Sequence, residues 1–401
     1  MGKAPLIYAD NNATTPVAPE VVAAMEPYFG GQFFNPSSMY EPALGVAGAL
    51  KEARRTVADF LGGVDPTEVL FTSCATESNN AAIFGVAAAN PSRKHVVTSQ
   101  VEHPAVLEVC RELQRRGHEV TYLPVDRQGM ISTADYVRAL RPDTLLATLM
   151  HANNETGVVW PVGEWARIAK ETDPGIVFHT DATQTAGKLP LGLAGELKNV
   201  DLLSFSGHKM HAPKGVGALF VRRGTPMRPY LLGGHQENGR RGGTENVPYV
   251  VGLARACELA KEHLPEMKRI ERLRDWLQAE LLRKIAFVEI NGGEAPRTPN
   301  TLNLSVHYIE GESILYELNG NGICASTGSA CSSGSLEPSH VLRALGVPFT
   351  AMHGSIRLSF SAYTTEDEAR RIAEVFPRVV ADLRKMSPYW DQKSDRPRGN
   401  A

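Results

Sequence analysis

Between Val69 and Val221 the sequence alternates short aliphatic runs with amphipathic stretches, and this rhythm restricts the fold more than any other feature. The runs Val69–Thr72, His95–Ser99, Val120–Leu123, Thr144–Leu149, Ile176–His179, Asp201–Phe205 and Val216–Val221 predict strands. Stretches between them, such as Pro104–Arg115 and Gly163–Glu171, predict helices. Strands joined through helices run parallel, and the helices then cover both faces of the sheet. The expected fold class is α/β, with a large domain built on a mostly parallel seven-stranded sheet.

A second pattern begins after residue 262. Met267, Ile270, Leu273, Leu277 and Leu281 share one helical face. Then come an alternating strand (Thr301–Val306), a helix (Gly311–Leu318), strands near Ile323–Ser326 and Ser355–Ser361, and a last helix opened by the capping pattern Thr365-Glu366-Asp367-Glu368. This is the expectation for a smaller α+β domain. The expected division is residues 16–262 for the large domain, 1–15 with 263–390 for the small one, and a frayed polar tail over 391–401.

The bulk chemistry excludes several classes. A net charge of -2 gives no general attraction to nucleic acid or anionic lipid. No apolar run approaches membrane-spanning length, and the first residues do not form a secretory signal, so a cytoplasmic protein is expected. Five cysteines at irregular spacing make neither a disulfide framework nor a zinc site.

In open parallel sheets, ligands collect beyond the carboxyl ends of the strands. Five of these strand ends carry polar groups. The first is Ser73-Cys74-Ala75-Thr76-Glu77-Ser78, small residues at a helix entrance that suit a phosphate or an ordinary cap. Next is Glu102-His103-Pro104, where His103 is either a cap or a functional side chain. His151 to Gly157, then Thr180-Asp181-Ala182-Thr183-Gln184, then Ser206-Gly207-His208-Lys209 complete the series. A lysine on a tight turn beside buried strands loses hydration, which makes it nucleophilic. These groups suit pyridoxal phosphate (PLP), which needs a lysine for its Schiff base, a carboxylate at its ring nitrogen and donors for its phosphate. Lys209, Asp181 and the Thr76/Ser206/His208 group would fill those roles, with His103 covering the ring.

In this ordered set the chain resembles the PLP-dependent cysteine desulfurases of the NifS/IscS family, of fold type I in the class V aminotransferase superfamily. The likeness is carried by Asp10-Asn11-Asn12-Ala13-Thr14-Thr15, Phe34-Asn35-Pro36-Ser37-Ser38, Glu102-His103-Pro104-Ala105-Val106, His179-Thr180-Asp181-Ala182, Ser206-Gly207-His208-Lys209, Gly328-Ser329-Ala330-Cys331 and Ser387-Pro388-Tyr389-Trp390. The stretches His211-Ala212-Pro213-Lys214 and Gly243-Thr244-Glu245-Asn246 look closer to the nitrogenase-associated NifS type. The resemblance implies Lys209 as the Schiff-base lysine, Asp181 at the ring nitrogen and Gln184 at the phenolic oxygen. It implies His103 as the stacking residue with an acid–base role and Asn154 beside the ring. Ala75, Thr76, Ser206, Gly207 and His208 join the cofactor-binding set, and Thr244 reaches the cofactor of a neighbouring subunit, so a homodimer follows. Arg357 would clamp the carboxylate of the substrate L-cysteine, and Asn35 would also bind substrate.

Cys331 lies in the Gly/Ser-rich run Ser326–Ser335, a poor place for a packed thiol. The resemblance makes it the residue that collects sulfur as a persulfide, with an iron–sulfur scaffold of nitrogenase assembly as the implied acceptor. No intrinsic metal is implied; Cys331 would at most be a transient ligand to a cluster on such a scaffold. Cys74, Cys110, Cys257 and Cys324 are expected to be structural. Selenocysteine lyase, cysteine-sulfinate desulfinase, a plain aminotransferase, a sulfur donor for tRNA thiolation and a silent scaffold are the rival readings.

Overall fold

A computed structural model describes residues 6–327, 339–394 and 396–398. The seven expected strands form one sheet: β1 (Val69–Thr72), β2 (His95–Ser99), β3 (Glu119–Leu123), β4 (Thr144–Thr148), β5 (Val177–Asp181), β6 (Leu202–Ser206) and β7 (Gly217–Val221). Their order is β1-β7-β6-β5-β4-β2-β3, and only β7 runs antiparallel to its neighbours. In β1, β2 and β4 to β7 every residue is buried, because helices cover both faces. Edge strand β3 is buried only at Leu123.

Two helices define the site through where they begin. Helix α1 (Ala75–Ala89) follows β1, and α2 (Pro104–Arg115) follows β2. The core under the sheet is aromatic at its centre: Phe178, Phe205, Phe220, Trp160 and Trp165 are all at most 1% exposed. Truncating a side chain of that size in a packed core costs about 3–5 kcal/mol.

A second apolar cluster gathers around helix α3 (Met267–Lys284), the antiparallel strands β8 (Val288–Ile290), β9 (Thr301–Val306) and β10 (Ser355–Ser359), and helix α4 (Glu366–Met386). Ile7 and Ala9 belong to it as well. The apolar face read from the sequence is the buried one, and α4 carries the expected capping box. By contrast Val341, Leu342, Leu345, Val347, Ala351 and Met352 pack into the large-sheet core, so this late segment ties the two halves together.

The expected frayed tail differs from the structure as far as Arg398. Trp390–Asp391 pairs with Arg396–Pro397, and Trp390, 3% exposed, is enclosed by Phe287, Tyr308 and the guanidinium of Arg384. An indole that size gains enough by burial to hold its neighbours. Among the described residues, no helix is long and apolar enough to cross a membrane.

Candidate active site

The tips of β1, β2, β4, β5 and β6 open into a cavity of about 420 Å³. Ala75, Thr76, His103, Asn154, Asp181, Gln184, Ser206, His208, Lys209 and Arg357 all line it. Ten residues named from the sequence, spread over nearly 300 positions, thus meet in one space.

Lys209 ends the one-turn helix Gly207–Lys209 directly after β6. Its Nζ donates to the carbonyls of Asn12 at 2.7 Å and Ala13 at 2.6 Å, so the amine is held at the cavity wall rather than in bulk water. Gly207 does not line the cavity. It permits close packing instead: a Cβ there would lie 2.8 Å from Ala212 and 3.0 Å from Leu253.

Asp181 is the last residue of β5 and is 6% exposed. A carboxylate so placed needs donors. Asn79 Nδ2 supplies one at 2.7 Å, and the backbone N–H of Thr183 another at 2.9 Å. Gln184, in the turn that follows, donates from Nε2 to the Asn12 carbonyl at 3.1 Å.

His103 combines the two readings that the sequence left open. It caps α2 through Nδ1, which accepts from the Ala105 N–H at 3.1 Å, and its ring faces the cavity. Burial holds His103 below the ordinary histidine range, aided by the charges of Lys209 and His340 and opposed by Asp181. Beside it in sequence, burial raises Glu102 to about 8, against the hydrogen bonds it accepts from Met150 N and Ser99 Oγ. Burial also pulls His208 down to about 4, with Lys209, Lys214 and Lys188 adding to the effect. Neutral imidazoles at His103 and His208 therefore flank Lys209.

The fit to PLP can be judged from atoms left without partners. Among the described residues, Ser206 Oγ, Thr183 Oγ1 and Asn79 Oδ1 are buried and unbonded. Orphaned buried hydroxyls are uncommon in folded proteins and call for an explanation. All three side chains line the cavity, and the start of α1 at Ala75 and Thr76 adds free backbone N–H groups suited to an anion. A phosphate at the start of α1 would accept from the hydroxyl and backbone donors of this set, which fits PLP; Asn79 Oδ1, itself an acceptor, lies outside that fit.

Arg357, on β10, is 2% exposed. It donates to the Asn154 carbonyl and to Asp10 Oδ1, both at 2.8 Å. Nothing local in the sequence points to Asp10 as its partner. Nor does the sequence single out Asn12, Asn79, Glu155, Thr183 or His340, which also border the cavity. Glu155 is buried and accepts from Ser339 Oγ at 2.5 Å, and burial raises its pKa. A buried Asn or Glu on a helix or turn has no local signature, since its partner lies far along the chain; Asn79 and Asp181 are 102 positions apart.

Two expected contacts are not brought to the cavity by this single chain. Asn35 is exposed and accepts from Ser37 N, closing a local turn, and Thr244 is exposed near the start of Val247–His263. Cys331 lies outside the described residues. Of the other cysteines, Cys110 and Cys257 are buried as expected, and burial raises both thiols. Cys74, at the N-cap position of α1 without a side-chain capping bond, is half-buried at the cavity wall, and Cys324 is half-buried on the short strand Ile323–Cys324.

Residues 7–372 match the family described as Aminotransferase class-V. The chain is 52% identical over 390 residues to cysteine desulfurase 2 of Trichormus variabilis, covering 97% of each protein. It is 50% identical over 385 residues to the cysteine desulfurase NifS of Azotobacter vinelandii, covering 96% of this chain and 95% of that one. Among solved structures, a NifS-like protein superimposes with a TM-score of 0.88 at 38% identity, over 94% of this chain and all of that one. Family match, full-length identity and the geometry of the cavity agree: the chain belongs to the class-V aminotransferases, in their branch of PLP-dependent cysteine desulfurases.

Proposed function

We propose that the chain takes sulfur from L-cysteine with Lys209 as the amine that binds PLP, and passes the sulfur on through Cys331. The observation that carries this reading is Lys209 Nζ at a strand-tip cavity that also holds the Asp181 carboxylate and buried hydroxyls lacking partners. When bound, PLP supplies an electron sink for the bonds around the substrate's α-carbon.

The chain's own groups would divide the work as follows. Asp181, fixed by Asn79 and Thr183, keeps a proton on the ring nitrogen. Thr76, Ser206, His208 and the start of α1 hold the phosphate, and Gln184 donates to the phenolic oxygen. His103 covers the ring beside Asn154. Because His103 Nδ1 accepts from a backbone N–H, its neutral ring carries the proton on Nε2 and presents a donor to the site. The α-proton therefore goes to Lys209, and His103 serves as donor and cover. Arg357 receives the substrate carboxylate in its planar fork. The Cys331 thiolate then attacks the substrate's sulfur. An S–S bond forms, the C–S bond breaks, and its electron pair stays with the carbon fragment, which takes up a proton to become alanine.

Three finer statements belong to the same proposal. Thr244 serves the cofactor of a second copy, which makes the active unit a homodimer. The persulfide goes to an iron–sulfur scaffold, a reading supported by 50% identity to a NifS protein. The setting is the cytoplasm. The test is a pair of variants: Cys331→Ala should keep the visible absorbance of bound PLP and lose sulfide release, while Lys209→Ala should lose both. Sulfide release at the parent rate by Cys331→Ala overturns the proposal.

A further inference from the structure

Lys188 takes no part in the chemistry described so far, yet it is one of the least ordinary residues in the molecule. It is 7% exposed, and its side chain donates from Nζ to Gln184 Oε1 at 3.4 Å. The charges that act on it, those of Lys209 and Arg357, are both positive. Burial, and then those charges, lower it to about 7. His208 and His211 in turn feel its charge. A lysine buried beside cations, with no ion pair to a carboxylate among the described residues, is costly, and such groups concentrate at functional sites.

The turn that carries it is rigid. Backbone bonds from Thr185 and Ala186 to Ala182, and from Lys188 to Thr185, wind residues 182–188 tightly after β5. Gly187, at a φ of 74°, lets this turn meet Met210 and Ala260, where a Cβ would lie 3.2 and 3.3 Å away. Lys188 and Lys209 also share a second, water-sized cavity of about 30 Å³.

A glutamine amide can point either way, and its neighbours decide which. Here Lys188 faces the oxygen and the Asn12 carbonyl faces the nitrogen. An amide nitrogen carries two hydrogens; Asn12 takes one, and the other remains for the cavity that Gln184 lines. We propose that Lys188 is a positioning residue for the cofactor: by donating to Gln184 Oε1 it fixes the amide with its nitrogen toward the phenolic oxygen of PLP. This rests on the reading that Gln184 meets that oxygen. Lys188 itself touches neither cofactor nor substrate.

The experiment uses holoenzyme and follows the visible band of the lysine-bound cofactor against pH, together with the PLP dissociation constant. A donor to the phenolic oxygen stabilises its anionic form, so losing the donor raises the pH midpoint of the band. Lys188→Met and Gln184→Leu should each raise that midpoint by about one unit, a tenfold change in proton affinity. The double variant should show no further rise, because one interaction has been removed twice. Lys188→Gln keeps a donor but removes the charge, and should return the midpoint to the parent value. A midpoint in Lys188→Gln as high as in Lys188→Met, or additive shifts in the double variant, overturns the positioning role and leaves only a through-space charge. A parent-like band in Gln184→Leu instead overturns the placement of Gln184, and the inference falls with it. Lys188→Gln also covers the case in which Lys188→Met fails to fold.

Discussion

The two walls of the cavity differ in how complete they are. The strand tips of the large sheet present buried groups still short of partners, namely Ser206 Oγ, Thr183 Oγ1 and Asn79 Oδ1. The wall from the small sheet is nearly closed on itself: Arg357 is spent on Asp10 and on the Asn154 carbonyl, with only Nε unbonded among the described residues. One wall is prepared for a permanent guest, since unmet hydrogen bonds cost little once a cofactor meets them and much otherwise. The other wall exchanges partners. A substrate carboxylate arriving at Arg357 replaces a carboxylate already there, so little charge is left uncompensated in either state.

The strongest way to break this comparison is to damage the substrate wall alone. Arg357→Lys removes the planar fork but keeps the charge. Losing one charge-assisted hydrogen bond of a bidentate pair costs about 1.5–3 kcal/mol, so KM for cysteine should rise on the order of 100-fold. The visible band of bound PLP should not move. If KM and band shift together, the walls are not separable and the contrast drawn above is wrong.

Acid should sharpen the comparison from the cofactor side. The buried histidines His95, His151 and His179 all belong to the large-sheet half. Burial lowers His151 from its ordinary 6.5 to about 4, and its Nδ1 lies 3.1 Å from Thr185 Oγ1. Between those pH values the unfolded chain binds a proton that the folded chain refuses. The stability this group contributes is complete above 6.5 and is lost as pH falls toward 4, by about 3 kcal/mol. Melting temperature measured across that window should fall steeply for the parent and less steeply for His151→Gln. Parallel curves for the two proteins would show that His151 takes up its proton without unfolding.

How much of this was legible in advance follows the same division. The strand-tip wall could be read because each tip announces itself: a run such as Leu203-Ser204-Phe205 ends, and Ser206-Gly207-His208-Lys209 begins. Alternation and local turn chemistry suffice for that, and they placed Lys209, Asp181, His103 and Ser206 in one space. The closures could not be read. Asn79 under Asp181, Asp10 beside Arg357 and Lys188 behind Gln184 are set by tertiary packing rather than by any local pattern. Asp10 and Arg357 stand 347 positions apart. Gly207 carries a second constraint that no local pattern announces, a close approach of its backbone to Ala212. Thr244 belongs to a third kind, a surface position whose proposed role requires a partner that one chain does not contain, while Asn35 closes an exposed local turn.

The smallest expected effect tests the exchange itself. Asp10→Asn leaves the shape of the Arg357 partner but removes its charge. If Asp10 competes with the incoming carboxylate, the substrate no longer has to displace an anion, and KM for cysteine should fall by about threefold, equivalent to some 0.6 kcal/mol. The change is small because Asp10 keeps 18% of its side chain exposed, so water already compensates part of its charge when it is displaced. The direction is what matters. A rise in KM would mean that Asp10 orients Arg357 for the substrate instead of standing in for it, and the small-sheet wall would then be as prepared as the strand tips opposite.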